Sequence, residues 1–89
     1  MKIAYDRAKH DRNLRQRGFG FDHAALILDG PTIERPDRRR TYGEERIIAV
    51  GGVGSDVLAV VYTDRGESRR IISARRANQK ERRLWQSPE

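Results

Sequence analysis

The stretch ERIIAVGGVGSDVLAVVYT, residues Glu45 to Thr63, is the most strand-like part of this chain of 89 residues. Two runs rich in β-branched residues, Glu45–Val50 and Asp56–Thr63, flank GGVGS, whose glycines are typical of a hairpin connection. The run Val57 to Val61 is apolar at every position, so both faces of the second strand are expected to be buried. The stretch therefore predicts an antiparallel hairpin whose second strand is central to a sheet.

Shorter elements are predicted on both sides of this hairpin. Strands are expected at Lys2–Tyr5, Thr32–Arg35 and Glu67–Arg75, and helices at Arg7–Arg17, within Phe21–Gly30 and after Asn78. Asp6 and Asn78 stand at N-cap positions, Glu81 completes a capping box with Asn78, and Gly18 suits the end of the first helix. Ala8 and Leu14 are the expected apolar contacts of that helix, and Pro88 lies just past the last one. The predicted fold is α+β, a small antiparallel sheet with two N-terminal helices and one C-terminal helix, in a single domain spanning residues 1–89.

The charge of the chain points to an anionic partner. Nineteen basic residues against thirteen acidic ones give a net charge of +6, and sixteen of the nineteen are Arg. Arg binds phosphate through a planar fork and stacks on bases, so a nucleic-acid surface is favoured over a solvated surface that happens to be rich in Arg. The absence of cysteine and of a signal peptide or membrane span predicts a cytoplasmic protein.

Several common kinds of site are absent from the sequence. No P-loop or dinucleotide fingerprint occurs, and GGVGSD lies between two strands and so predicts a turn. His10 and His23 have no partner at metal-ligand spacing, and we interpret both as exposed helical histidines. The sequence therefore predicts no metal site and no cofactor.

Two stretches carry groups that suit chemistry on a phosphodiester, TYGEERIIAV (Thr41–Val50) and SRRIISARRA (Ser68–Ala77). Metal-free RNA cleavage needs a base for the 2′-hydroxyl, a cation for the charge that develops on the phosphate, and an acid for the leaving 5′-oxygen. A carboxylate beside guanidiniums can be the base, Arg can hold the phosphate, and Tyr or Lys can protonate the leaving oxygen. By composition alone, cross-strand ion pairs between the same residues are the better explanation.

The order of motifs along the chain changes this balance. YDRAKHDRNLRQRG, FDHAA, DRRRTYGEERIIAVG, VLAVVYTDRG and RIISARRANQKERR together resemble the BrnT family of ribonuclease toxins from bacterial type II toxin–antitoxin modules. The resemblance implies a fold related to RelE-like toxins and RNA cleavage that arrests growth. It also implies neutralisation by a BrnA-like antitoxin with a ribbon-helix-helix DNA-binding domain, through which the complex reaches operator DNA. One departure is notable: Gln16 and Arg17 stand where such sequences usually have Lys-His.

Strand geometry limits how the arginines can act together. Arg70 and Arg75 are an odd number of residues apart, so on a regular strand they face opposite sides and share a site only if a bulge intervenes or Arg75 lies at the strand end. The candidates for catalysis are two carboxylates as bases, three arginines for the phosphate and two groups for the acid: Glu44, Glu45, Arg46, Arg70, Arg75, Tyr42 and Lys9. We expect the replacement of Arg70 or Arg75 to leave stability almost unchanged.

The remaining assignments concern binding. The expected RNA contacts are Arg69, Arg76, Arg82 and Arg83. Trp85 is the expected anchor for the antitoxin, with packing of the last helix on the sheet as the alternative. The other hypothesis for the whole chain is a RelE/ParE-like module that binds nucleic acid or protein without cleaving it.

Overall fold

The computed structural model describes residues 1–87. In chain order they form β1 (Lys2–Tyr5), α1 (Arg7–Arg17), α2 (Phe21–Ala24), a 3₁₀ helix (Ala25–Asp29), β2 (Ile33–Pro36), β3 (Ile47–Val53), β4 (Asp56–Arg65), β5 (Ser68–Arg76) and α3 (Gln79–Gln86). The five strands make one sheet in the order β1-β5-β4-β3-β2. Strand β4 is central, as its apolar run predicts. The expected helix stop at Pro88 lies outside the described residues.

The sheet is mixed, so the prediction of an antiparallel sheet is wrong in one pairing. β1 runs parallel to β5, with Lys2 opposite Ser68 and Tyr5 opposite Ile71, while the other three pairings are antiparallel. Antiparallel direction is set by hairpin turns between strands adjacent in sequence. β1 and its neighbour β5 are separated in sequence by every other strand, so no hairpin turn fixes the direction of β1.

Two hairpins connect the last three strands. Val53 pairs with Asp56 and Arg65 with Ser68, so each loop has two residues between its paired ends. The first residue of each loop is a glycine, Gly54 or Gly66, at φ +59°, a conformation that favours glycine in such turns. The first hairpin is confirmed, but its loop is only Gly54 and Ser55, since the first three residues of the predicted GGVGS connection belong to β3. The second hairpin turns at Gly66 and Glu67, slightly later than predicted.

Each face of the sheet has its own apolar cluster. The α2 face is covered by α2 and the 3₁₀ helix, and its largest members are Phe21, Ile27, Leu58, Tyr62 and Ile71. The α3 face packs Ile48, Val50, Val57, Ala59, Val61 and Ala77, with Trp85 of α3 against them. Because successive residues of β4 alternate between these clusters, the central strand is buried on both sides.

Polar residues hold α1 in place. Its buried residues are His10 and Asn13, whereas the predicted contacts Ala8 and Leu14 are exposed. His10 Nδ1 accepts a hydrogen bond of 3.0 Å from the Phe21 N–H, so the interpretation of His10 as an exposed histidine is wrong. The burial of His10 could not be predicted from the charged residues around it in the sequence, because its partner Phe21 lies beyond the turn that ends α1. His23 is exposed, as predicted.

The remaining helical predictions are met in part. Asp6 caps α1 through the Ala8 N–H, and Gly18 ends it at φ +84°. The segment predicted as a second helix is one α-helical turn followed by the 3₁₀ helix. None of the helices in residues 1–87 has the length and apolar character that crossing a bilayer requires.

Candidate functional site

A bulge in β5 brings its two candidate arginines to the same face. Ser73 pairs with Val61 and Ile71 with Tyr62, so Ile72 is an extra residue between them. Arg75 lies opposite Ala59 and Arg70 opposite Thr63. Positions 59 and 63 of the regular strand β4 point the same way, so both arginines lie on the α3 face. The condition that the sequence sets for a shared site is therefore met.

Arg75 is bound to a buried carboxylate. Its Nη1 and Nη2 donate to Glu81 Oε1 and Oε2 at 2.7 and 2.9 Å, and Arg35 Nη2 adds a bond of 3.0 Å. Glu81 is 2% exposed and also completes the predicted capping box with Asn78. The hydrogen bonds from Arg75, with those from Asn78 and Arg35, lower the pKa of Glu81 to about 2. Arg75 therefore also holds α3 on the sheet, which does not fit the expectation that its removal leaves stability unchanged.

Arg70 has a different environment. It is half-buried beside Thr63, and none of the ion pairs within residues 1–87 includes it. Its charge is therefore not neutralised by a carboxylate of these residues.

The segment before β3 folds into a network of stacked and paired side chains. The Arg46 guanidinium lies 4.0 Å from the centre of the Tyr42 ring and donates to Glu44 at 3.1 Å. Arg65 donates to the same carboxylate at 3.0 Å. The bonds from Arg65 and Arg46 lower the pKa of Glu44, which makes it a weaker base. Glu45 is exposed and makes no ion pair in residues 1–87.

Asp37 organises the other side of this segment. It is 5% exposed, and its two oxygens accept bonds of 2.8 Å from Arg39 Nε and Nη2. The Tyr42 hydroxyl donates to it at 3.2 Å, and its own N–H bonds to the Arg46 carbonyl. The hydrogen bond from Arg39 lowers the pKa of Asp37 to about 2. The hydroxyl of Tyr42, a candidate acid, is thus occupied by a buried carboxylate.

A cleft of about 320 Å³ lies between α1 and β5, and we call it the helix–strand cleft. Its polar lining residues come from α1, from β5 and from the segment before β3: Lys9, Arg12, Asn13, Gln16, Arg17, Arg39, Ser73 and Arg75. Lys9 also donates to the Ile72 carbonyl at 3.4 Å, next to the bulge. Five of these residues are cationic, and no carboxylate from residues 1–87 lines the cleft.

A second, more open cleft is lined only by the segment Pro36–Arg46, and we call it the loop cleft. Of the catalytic candidates, it contains Tyr42, Glu44, Glu45 and Arg46. The structure thus divides the predicted site. Lys9 and Arg75 meet in the helix–strand cleft, the carboxylate candidates lie in the loop cleft, and Arg70 lies on the α3 face.

The predicted RNA contacts divide into paired and unpaired arginines. Arg69 binds Asp64 at 2.8 and 3.1 Å and stacks on Tyr62 of the α2 face. Arg76 binds Asp56 at 3.2 Å. Arg82 and Arg83 are exposed on α3 and make no ion pair within the described part of the chain.

Trp85 packs on the sheet. It is half-buried against the apolar cluster of the α3 face, and a Cβ atom at Gly52 would lie 3.3 Å from its ring. This contact corresponds to the packing alternative in the sequence analysis, and it leaves only part of the ring for a partner.

Several residues that line the two clefts were not among the sequence-based candidates, including Arg12, Arg17, Asp37 and Arg39. Arg12 and Arg17 were detectable, since positions 9, 12, 13, 16 and 17 follow the spacing of one helical face. Asp37 and Arg39 lie in a stretch predicted only as a charged loop, and the Asp-x-Arg spacing after a strand was the one local signal. Within residues 1–87, no three His, Asp or Glu side chains converge as metal ligands.

The comparisons with known proteins agree on one family. The model of the ribonuclease toxin BrnT of type II toxin–antitoxin systems matches residues 5–81. The chain belongs to the BrnT family. Among solved structures, the 1.1 Å crystal structure of the Brucella abortus ribonuclease toxin BrnT is similar, with a TM-score of 0.63 and 28% identity over 89% of this chain and 99% of that one. No individual curated protein matches the chain.

Membership of this family establishes the class of function. The chain is a ribonuclease toxin of the type II toxin–antitoxin class, a class in which an antitoxin is the partner. The predicted family resemblance is therefore confirmed.

Proposed function

We propose that this BrnT-family chain is an endoribonuclease that cleaves RNA without a metal, by attack of the 2′-hydroxyl on the adjacent phosphate. The observation that carries the proposal is the helix–strand cleft, which five cations line and which no carboxylate of residues 1–87 enters. A surface of that composition attracts the phosphate backbone and disfavours a divalent cation.

The phosphate-binding role belongs to the guanidiniums of this cleft. Arg75 is fixed by Glu81, so its position does not have to be reorganised when charge develops on the phosphate. Lys9 lies beside the bulge and is the candidate acid for the leaving oxygen. Arg70, free of ion pairs within residues 1–87, extends the positive surface along the same face of the sheet.

The candidates for the base are the two carboxylates of the loop cleft. Glu44 is held by Arg65 and Arg46, and its lowered pKa makes it a poor proton acceptor. Glu45 is the candidate whose carboxylate is exposed and makes no ion pair in the described chain. We assign the base to Glu45, which has to reach the 2′-hydroxyl beside the phosphate that Arg75 and Lys9 hold, because base and acid act on the same phosphodiester.

The residues that replace the usual Lys-His pair also line the cleft. Gln16 and Arg17 are on the face of α1 that borders it, so an imidazole at position 17 has access to bound RNA. Because neither Gln nor Arg exchanges protons near neutral pH, we expect slow cleavage by this chain.

A second candidate function is RNA binding without cleavage. It is favoured by the same lining, because no carboxylate of residues 1–87 borders the cations that would hold the phosphate. The two functions share a ligand and differ only in turnover.

The antitoxin partner follows from the family, and its character is our proposal. We propose a ribbon-helix-helix protein that covers the exposed cations with carboxylates and brings the pair to operator DNA. Trp85 contributes the exposed part of its ring to that interface. Association is expected to slow with added salt, because charge attraction accelerates the encounter.

Cleavage is tested with purified protein and matched RNA, DNA and 2′-O-methyl RNA of one sequence. We expect cleavage of RNA alone, in the presence of EDTA, because only RNA carries the free 2′-hydroxyl. Loss of cleavage with EDTA and recovery with magnesium would refute metal independence. Binding of RNA with no cleavage under any of these conditions would establish the second candidate.

A further inference from the structure

The segment between β2 and β3 contains a buried charge that neither the sequence motifs nor the proposed chemistry explains. The Asp37 side chain is fully buried, with 0% exposure, while 68% of the Arg39 side chain is exposed. A buried carboxylate is expensive unless it is paired and hydrogen-bonded. Here two bonds from the Arg39 side chain, one from the Arg39 backbone N–H and one from the Tyr42 hydroxyl satisfy it.

Asp37 is also fixed by the backbone. Its N–H donates to the Arg46 carbonyl at 2.8 Å, which continues the ladder formed by Pro36 and Ile47. A carboxylate attached to the end of the sheet in this way cannot move far. The forked contact then fixes the plane of the Arg39 guanidinium as well as its place.

The held guanidinium lies at a cleft with other cations. Arg39 lines the helix–strand cleft together with Arg75, and its charge opposes the rise that Glu81 causes in the pKa of Arg75. A counter-charge for each guanidinium lowers the cost of placing the two at one cleft. Asp37 supplies it for Arg39 and Glu81 for Arg75, and both carboxylates are buried away from the cleft.

This arrangement leaves the guanidinium able to bind a ligand. An Arg side chain has five N–H donors, and Asp37 takes two of those of Arg39. We propose that Arg39 contacts an RNA phosphate in the helix–strand cleft and that Asp37 is its positioning residue. The inference rests on the proposed function in that RNA is the ligand of this cleft.

The test is a double-mutant cycle on the affinity for 2′-O-methyl RNA, a probe that binds without being cleaved by a 2′-hydroxyl mechanism. We expect Arg39→Ala to weaken binding about tenfold, as for loss of a charged phosphate contact. Asp37→Asn should weaken it about threefold or more in the wild-type background and by less than about 1.5-fold when Arg39 is already Ala. An equal effect of Asp37→Asn in both backgrounds would overturn the proposal.

Asp64 and Arg69 provide the matched control, since they form the same forked pair on the opposite face. Arg69→Ala should weaken binding by less than Arg39→Ala, and an equal loss would mean that bulk charge explains binding. Asp64→Asn should not weaken binding, because neutralising a carboxylate raises the net positive charge. If Asp37→Asn does not fold, Arg39→Lys answers the question. It keeps the charge and loses the fork, so an affinity equal to wild type would reject positioning.

The two proposals fail in different ways. Wild-type protein that binds the probe through Arg39 and Asp37 but cleaves no RNA contradicts the proposed cleavage and supports this inference. Wild-type protein that cleaves RNA while the Arg39 and Asp37 variants bind the probe normally contradicts the inference alone. Absence of any probe binding by wild type overturns the inference.

Discussion

Arg75 and Glu81 form a forked ion pair in which the acid is buried and the base is partly exposed. The pair links β5 to the first turn of α3, and Glu81 has further bonds to Arg35 and the Asn78 N–H. One residue thus serves two purposes: Arg75 borders the cleft and secures the C-terminal helix. Loss of activity in an Arg75 variant therefore has two causes that must be separated.

Comparing an Arg75 variant with an Arg70 variant separates the loss of stability from the loss of a phosphate contact. Arg75→Ala should lower the free energy of unfolding by roughly 1–3 kcal/mol, because it removes two hydrogen bonds from a buried carboxylate. Arg70→Ala should stay within about 0.5 kcal/mol, since Arg70 has no ion-pair partner in residues 1–87. Urea denaturation measures both values. Equal stability of the two variants would show that the Glu81 pair contributes nothing.

The same pair predicts how stability depends on acid. The folded pKa of Glu81 is about 2, below its ordinary value of 4.5, so its contribution is complete above pH 4.5 and is lost as pH falls toward 2. The advantage of wild type over Glu81→Gln should therefore shrink across that range. Asp37 titrates in the same range in both proteins and cancels. Denaturation at a series of pH values provides the measurement, and an advantage that does not vary with pH contradicts the assignment.

The cleft cations should dominate the salt dependence of RNA binding. Arg12→Ala should weaken binding and reduce the slope of log affinity against log salt by about 0.7, the value for one lost contact to a single strand. Arg15→Ala is the control, because it removes the same charge from α1 but does not line the cleft. Fluorescence anisotropy at several salt concentrations measures the slopes. Identical slopes in the two variants would place the RNA elsewhere.

Restoring a histidine at position 17 should add acid–base chemistry. Arg17→His is expected to speed cleavage and to introduce a pH dependence at or below about 6.5, because neighbouring cations disfavour the imidazolium. Arg15→His, on the same helix but outside the cleft lining, should do neither. Cleavage rates of both variants, measured from pH 5 to 8, test this prediction. A profile unchanged from wild type would remove position 17 from the chemistry.

Local sequence signals predicted the fold well where neighbouring residues determine structure. The hairpin at Gly54, the cap at Asp6 and the capping box of Asn78 and Glu81 depend on residues only a few positions apart. The parallel pairing of β1 and the burial of His10 depend on contacts between separate segments. The spacing of residues along the sequence does not indicate contacts between separate segments, so the direction of β1 and the exposure of His10 were predicted wrongly.

In the candidate site, too, local features were predicted and contacts between separate segments were not. The bulge was recognised as the condition for Arg70 and Arg75 to share a face, but its place at Ile72 emerges only from the strand register. The pairing of Arg75 with Glu81 was missed because the capping box already gave Glu81 a role. Arg39 was missed because its importance depends on the buried carboxylate of Asp37, and burial in a charged loop has no local pattern.

The central claim is that RNA binds in the helix–strand cleft. The most direct measurement is an NMR titration of ¹⁵N-labelled protein with 2′-O-methyl RNA, following backbone amides and arginine Nε–H signals. We predict the largest shifts at Arg12, Arg17, Arg39, Ser73 and Arg75, which surround the cleft. Shifts confined to Arg82 and Arg83 of α3, or to Arg69 on the α2 face, with the cleft residues unmoved, would contradict the account.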